Sequence, residues 1–253
     1  MTKHDSTTEA LGDVIAAFGL LTRLPLPQRA VTAGPRAAWA WPVVGAVVGF
    51  LSAAAGTLVL WLGLPVGVAA AVALATSAMV TGGLHEDGLA DTADGLFGGW
   101  TRERRLEIMK DSRIGSYGML ALMLVTLARW SAITALMATG GHWAGLIAAG
   151  ALSRAPMAVL MAALPNARGT GLAHAVGAPP RVAVLAALTI ALLIALMTTG
   201  SAVFGMAALA AATSLALALL ARAKIGGQTG DILGASQQLA DLAALSVAAA
   251  ALT

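Results

Sequence analysis

Long apolar runs separated by short polar turns dominate the chain. A helix crosses the hydrocarbon core of a bilayer with about 20 apolar residues. Seven stretches approach or reach that length: 38–62, 66–81, 114–138, 143–164, 182–199, 202–221 and 232–252. The second is short and begins at Pro65 or earlier. The seventh is interrupted by Gln237, Gln238 and Asp241. Residues 11–21 are apolar but too few to span, and read as an interfacial or partly re-entrant helix. The pattern predicts an all-α fold. It is a polytopic integral membrane helix bundle of about seven transmembrane helices plus a short N-terminal interfacial helix, in one membrane-embedded domain over 1–253.

Lys and Arg orient such a bundle, because cytoplasmic connections carry the excess of them. Lys3, Arg23, Arg29 and Arg36 precede the first run. Arg102, Arg104, Arg105, Lys110 and Arg113 lie between the second and third. Arg168 and Arg181 follow the fourth, and Arg222 and Lys224 follow the sixth. The alternate connections 63–65, 139–142 and 200–201 carry no Lys or Arg. This segregation predicts a cytoplasmic N-terminus and, with seven spans, an outside C-terminus. It also places the long polar connection 82–113 in the cytoplasm.

Composition then excludes the soluble alternative. Hydrophobic residues make up 58% and charged residues 11%, with mean hydropathy +0.84, whereas a soluble domain carries about 25% charge. The net charge of +3 is small and says little about partners; no nucleic-acid partner is expected. The absence of cysteine excludes disulfides, thiolate metal centres and a cysteine nucleophile. The first 30 residues do not read as a cleaved signal peptide, since residues 1–9 are polar and the apolar stretch after them ends at Pro25.

The connections carry the candidate chemistry. Residues 85–95, His-Glu-Asp-Gly-Leu-Ala-Asp-Thr-Ala-Asp-Gly, hold four carboxylates in nine positions. On a helix, Asp87, Asp91 and Asp94 at i, i+4 and i+7 share one face, and Glu86 sits about 100° away from Asp87. Like charges at that spacing repel. Mg²⁺, or Mn²⁺ in its place, compensates them by taking carboxylate oxygens together with substrate phosphates. Glu86, Asp87, Asp91 and Asp94 are therefore the expected metal ligands. The plainer alternative is a solvated acidic helix start favoured by the helix dipole. His85 adjoins the cluster as a base or as a hydrogen-bonding support.

In Lys110-Asp111-Ser112-Arg113-Ile114-Gly115-Ser116, Lys110 and Arg113 can neutralise phosphate oxygens. Ser112, Ser116 and the glycines can bring donors to an anion. The competing reading is a charged helix cap at the membrane face. Gly226 to Asp231 holds Thr229 and Asp231, a helix cap or an addition to the metal site. Arg129, Arg154 and Asp241 fall inside spans, where ionisable groups pair with one another or face a polar site. Pairing of Arg154 with Asp241 is one expectation. Arg168 lies in a polar cytoplasmic turn with Asn166, Thr170 and Gly171. Arg102, Arg104 and Arg105 read mainly as topology charges.

Four segments in order resemble the cobalamin synthase family, the adenosylcobinamide-GDP ribazoletransferases. They are FGLLTRLPLP at 18–27, GGLHEDGLADTADGL at 82–96, KDSRIGSYG at 110–118 and GGQTGDILGA at 226–235. The resemblance implies an integral enzyme of the inner (cytoplasmic) membrane that requires Mg²⁺, with its active site facing the cytoplasm. It implies transfer of the cobinamide phosphate of adenosylcobinamide-GDP to α-ribazole or its 5′-phosphate, releasing GMP. Carried onto this chain, the catalytic candidates are Asp87, Asp91, Asp94, His85, Lys110 and Arg113. The substrate-binding candidates are Arg23, Ser112, Ser116, Arg154, Arg168, Thr229 and Asp231. Expected partners are the two substrates, membrane lipid, and a further copy of the chain or other corrinoid-pathway enzymes. The acidic run is also similar to the DG…D…D pattern of CDP-alcohol phosphotransferases, but Asp91 stands where that family has Arg. A cation transporter is the alternative of another class. Against it, the acids lie at the membrane edge and no paired broken helices are evident.

Overall fold

The computed structural model describes residues 3–26 and 34–253, and side chains from residue 8 onward. Pro27 and Arg29, both used above, lie outside the described residues. Helices account for the ordered elements. α1 covers Lys3–Leu21, and a 3-10 turn at Pro35–Ala40 runs into α2 at Trp41–Trp61. α3 is Val66–Thr81, α4 Leu84–Gly98, α5 Arg102–Ile108, α6 Ser116–Thr139 and α7 His142–Ala163. α8 is Leu172–Val176, α9 Arg181–Thr199, α10 Ala202–Ile225 and α11 Gly230–Leu252. Among the described residues there is no strand, and the one isolated bridge joins Asn166 to Gln228.

Among the described residues six helices are long and apolar enough to cross a membrane, and the bent pair α3–α4 raises the count to as many as seven. The bend is 89°. It falls at Gly82 and Gly83, whose φ values of 66° and 70° lie in the left-handed region that glycine enters without steric cost. α4 therefore turns out of the line of α3 and packs against α6 and α11; by itself it is not one of the six spans. The connection expected over 82–113 is thus not an open loop, since it holds α4 and α5. α1 also starts earlier than the apolar pattern indicated, and α10 continues through Arg222 and Lys224.

Burial follows side-chain size and polarity. α7 and α11 form the interior, packed against α2, α4, α6, α9 and α10. α9 turns Ala183, Ala187, Ala191 and Ala195 inward, a small-residue stripe that lets helix backbones approach closely. Leu120, Leu124 and Leu127 of α6, Leu185 and Leu193 of α9, and Phe204, Leu215 and Leu219 of α10 stay exposed, as lipid-facing positions should. The polar interruption of the last run has its explanation here. Gln237, Gln238 and Asp241 are all buried, so the polar side of α11 faces other helices.

That interior holds a hydrogen-bonded network. Arg129 of α6 reaches Asp241 with Nη2 at 2.9 Å and donates from Nη1 to Gln238 Oε1 at 2.7 Å. Gln237 Nε2 donates to Ser153 Oγ of α7 at 3.0 Å. The partner of Asp241 is therefore Arg129 rather than Arg154. Arg154 is 2% exposed and donates to its own helix, from Nη1 to Gly150 O at 3.0 Å.

Candidate functional site

The acidic run is helical, so Asp87, Asp91 and Asp94 do recur at i, i+4 and i+7. The four carboxylates nevertheless meet different partners. Glu86 turns inward: its Oε1 accepts from Gln238 Nε2 at 3.0 Å and lies 3.7 Å from Arg129 Nη1. Asp94, 7% exposed, accepts from Gly115 N–H at 2.7 Å and from Gly118 N–H at 2.9 Å. It thereby satisfies donors that the N-terminus of α6 would otherwise leave unmet. A Cβ at Gly115 or Gly118 would collide with this carboxylate.

Asp87 and Asp91 remain. Among the described residues neither has a hydrogen-bond or ion-pair partner. Burial, then the charges of Asp87 and Asp231, push the Asp91 carboxyl up to about 7, with Arg168 opposing and Asp94 adding to the push. This is the repulsion the spacing implies. Asp231 comes from α11, which crosses α4 at a point where both chains are glycine. A Cβ on Gly88 would stand 2.9 Å from Asp231 O and 3.2 Å from Gly234 Cα. Only a pair without side chains lets the two backbones approach this closely.

Arg168 completes the cleft. Its Nη2 donates to Asp231 Oδ2 at 2.7 Å and to Met109 O at 3.4 Å. The turn that carries it is tied down locally, because Asn166 Oδ1 accepts from Arg168 N–H and Gly169 N–H at 3.1 and 2.7 Å. It is also stitched to the turn before α11, where Ala167 N–H donates to Gln228 O at 2.8 Å and Gln228 N–H to Pro165 O at 2.9 Å. Thr229 caps α11 by accepting from Ile232 N–H at 3.3 Å, and its hydroxyl donates to Asp231 Oδ2 at 3.2 Å.

These groups form one edge of a cavity of about 140 Å³. His85, Asp87, Arg168, Thr170 and Asp231 make its polar side, and Leu20, Leu21, Trp41, Met157 and Met161 its apolar side. His85 is 1% exposed. Burial, then the charges of Arg154 and Arg129, hold its imidazole well below the usual value, so it is neutral.

Other candidates lie elsewhere. Lys110, Ser112, Arg113 and Ser116 are exposed, and none lines the cavity. Arg113 grips Asp111 through Nε at 3.1 Å and Nη2 at 2.7 Å and lowers that carboxyl to about 2. Arg23 packs over the Gly82–Gly83 bend, where a Cβ at Gly82 would meet its Cγ and Nε at 2.7 Å. Its N–H donates to Val80 O at 2.7 Å. Arg102 and Arg105, expected as topology charges, donate to the last carbonyls of α10, at Ile225 O (2.9 Å) and Lys224 O (3.0 Å). Basic side chains are favourable partners for a helix C-terminus.

The family model described as cobalamin-5-phosphate synthase matches residues 13–249. The chain belongs to this family. Two curated relatives are named adenosylcobinamide-GDP ribazoletransferase. The protein from Bradyrhizobium diazoefficiens is 46% identical over 252 residues, covering 96% of each chain. The one from Brucella ovis is 44% identical over 247 residues, 93% of this chain and 95% of its own. No solved structure matches.

For this member of the cobalamin-5-phosphate synthase family, sequence reasoning missed three features of the site. They are the Gly88–Gly234 crossing, the tie between the Asn166 and Gln228 turns, and the apolar wall from α1, α2 and α7. The first left a signal in glycines at the heart of two polar motifs. The others join residues far apart in the chain and left none.

Proposed function

We propose that the chain performs the reaction for which its relatives are named. A hydroxyl of α-ribazole, or of its 5′-phosphate, attacks the cobinamide-linked phosphorus of adenosylcobinamide-GDP. The new phosphorus–oxygen bond forms as the bond to GMP breaks, and GMP leaves. One observation carries this reading beyond the family: two partnerless carboxylates, Asp87 and Asp91, stand near the Arg168–Asp231 pair, and Asp87, Arg168 and Asp231 line the edge of a ligand-sized cavity.

The same carboxylates fit Mg²⁺. Among the described residues no three His, Asp or Glu side chains make a ready-made metal cluster. Mg²⁺ does not require one, because it is commonly held by one or two carboxylates plus substrate phosphates and water. Asp87 and Asp91 would be those carboxylates. Asp94 has both oxygens committed to the start of α6, and Glu86 has Oε1 committed to Gln238 and Arg129 while its Oε2 is buried without a partner. Bound there, Mg²⁺ would neutralise the diphosphate and favour departure of GMP. Arg168 places a guanidinium where phosphate oxygens must lie, and Asp231 holds that guanidinium in position. Asp94 sets the start of α6 against α4. The rest of catalysis is positioning and electrostatics, as in phosphoryl transfer generally. The Lys and Arg asymmetry supports a cleft that opens to the cytoplasm from the inner membrane.

The test is product analysis with purified full-length protein in detergent. Adenosylcobinamide-GDP and α-ribazole with Mg²⁺ should yield GMP and adenosylcobalamin in equal amounts, with neither formed in excess chelator. Absence of GMP with both substrates present, or CMP release from a CDP-alcohol, contradicts the assignment.

A further inference from the structure

The cavity beside the acidic helix has an apolar depth that phosphate chemistry does not use. Two buried ring nitrogens in its wall lack partners. Trp41, 2% exposed, has no partner for Nε1, and His85, 1% exposed, has none for Nε2. Both nitrogens are themselves buried and do not open onto the cavity, so what it offers a ligand is an apolar wall beside a charged edge.

Size and chemistry restrict that ligand. At about 140 Å³ the space is close to the roughly 150 Å³ apolar cavity that accepts a benzene ring. A corrin macrocycle is far too large for it. Guanine presents several polar groups along its edge, and the apolar wall of Leu20, Leu21, Met157 and Met161 would leave most of them unmet. A benzimidazole-type base attached to ribose has a different demand. It is flat and largely apolar, and its single unsubstituted ring nitrogen accepts one hydrogen bond.

We propose that this cavity seats the aromatic base of the acceptor nucleoside, with its ribose at the edge formed by Asp87, Arg168 and Asp231. The proposal rests on the reading that the chain transfers a cobinamide phosphate to a ribazole, and it assigns the acceptor half of that site. The short link from base to ribose then delivers a hydroxyl to the carboxylate edge, where the diphosphate must lie. The proton of the attacking hydroxyl leaves on the Asp87–Asp231 side in this arrangement.

Two substitutions in full-length protein test it. Ala173→Phe adds a ring inside the cavity, and Met161→Ala removes bulk from its wall. Acceptors are α-ribosyl nucleosides with one-, two- and three-ring bases, and GMP release is followed with adenosylcobinamide-GDP as donor. Ala173→Phe should raise KM for the two-ring acceptor by about tenfold or more, while KM for the donor stays within about twofold. The one-ring acceptor should suffer least. Met161→Ala should shift preference toward the three-ring base, and it remains a valid reading if Ala173→Phe does not fold. An unchanged order of acceptors in Met161→Ala, or a KM effect confined to the donor, overturns the assignment. Wild-type protein is the control that separates the two claims. No GMP from wild type defeats the reaction itself, whereas normal GMP release with unmoved base preference defeats only the cavity's role.

Discussion

Asp94→Asn distinguishes a structural carboxylate from a metal-binding one within the same acidic helix. In the structure both Asp94 oxygens are used, accepting from Gly115 N–H at 2.7 Å and Gly118 N–H at 2.9 Å. Asparagine offers one carbonyl oxygen, and its amide group would face the second N–H. One buried donor is then unmet, which costs about 1–3 kcal/mol. Loss of negative charge at the start of α6 adds about 0.3–1 kcal/mol. A net loss of about 2 kcal/mol corresponds to roughly a 30-fold fall in the folded-to-unfolded ratio. Thermal unfolding in detergent should show a clearly lower midpoint. GMP release by the protein that remains folded should keep its Mg²⁺ half-saturation within about twofold, since a lost metal ligand or its support would shift it by about tenfold or more. Unchanged unfolding together with a half-saturation shifted by that larger factor would refute the capping argument and make Asp94 a ligand.

Arg168→Lys keeps one positive charge but loses the planar guanidinium that reaches both Asp231 and the Met109 carbonyl. It should lower kcat/KM for adenosylcobinamide-GDP by about tenfold or more, and wild-type kinetics would remove Arg168 from the cleft's chemistry. The raised Asp91 carboxyl predicts a pH effect. Its folded value of about 7 lies above the unfolded one, so metal-free protein holds a proton that the unfolded chain releases. Stability of the metal-free form should therefore fall as pH rises from about 4 to about 7. Mg²⁺ needs the ionised carboxylate, so its binding should release close to one proton at about pH 6 and almost none at about pH 8. Titration calorimetry in buffers of different ionisation enthalpy reads that number. Equal proton release at both pH values would contradict it.

The spans were legible because lipid imposes a length and an apolar composition on each helix. The run 66–81 has the bounds of α3, but the expected start at Pro65 or earlier does not hold, since Pro65 is the extended residue that precedes the helix. Arg102 and Arg105, expected as orientation charges, serve the end of α10. The acidic helix was half legible. Its spacing showed which carboxylates recur on one side, yet nothing local shows that Glu86 would find Gln238 and Arg129, or that Asp94 would find two backbone donors 21 and 24 positions later. Those outcomes depend on where α6 and α11 pack. The assignment of Asp241 to Arg129 rather than Arg154 has the same origin. Both arginines are buried, and helix rotation rather than sequence separation decides which one reaches the carboxylate. The apolar wall of the cavity could not be read at all, because Leu20, Trp41 and Met161 look like any other residues of an apolar run.

Asp87 and Asp91 are proposed to hold the metal that serves the diphosphate. This role is tested most directly by GMP release as a function of Mg²⁺ concentration in Asp87→Asn and Asp91→Asn. Each variant keeps side-chain size and removes a charge that no protein partner uses. Turnover should be lower by on the order of 10²- to 10³-fold, with residual activity requiring more Mg²⁺ and unfolding midpoints no lower than wild type. Relief of the Asp87–Asp91 repulsion should if anything raise those midpoints. Near-normal turnover in both variants, with the Mg²⁺ curve unmoved, would contradict the claim.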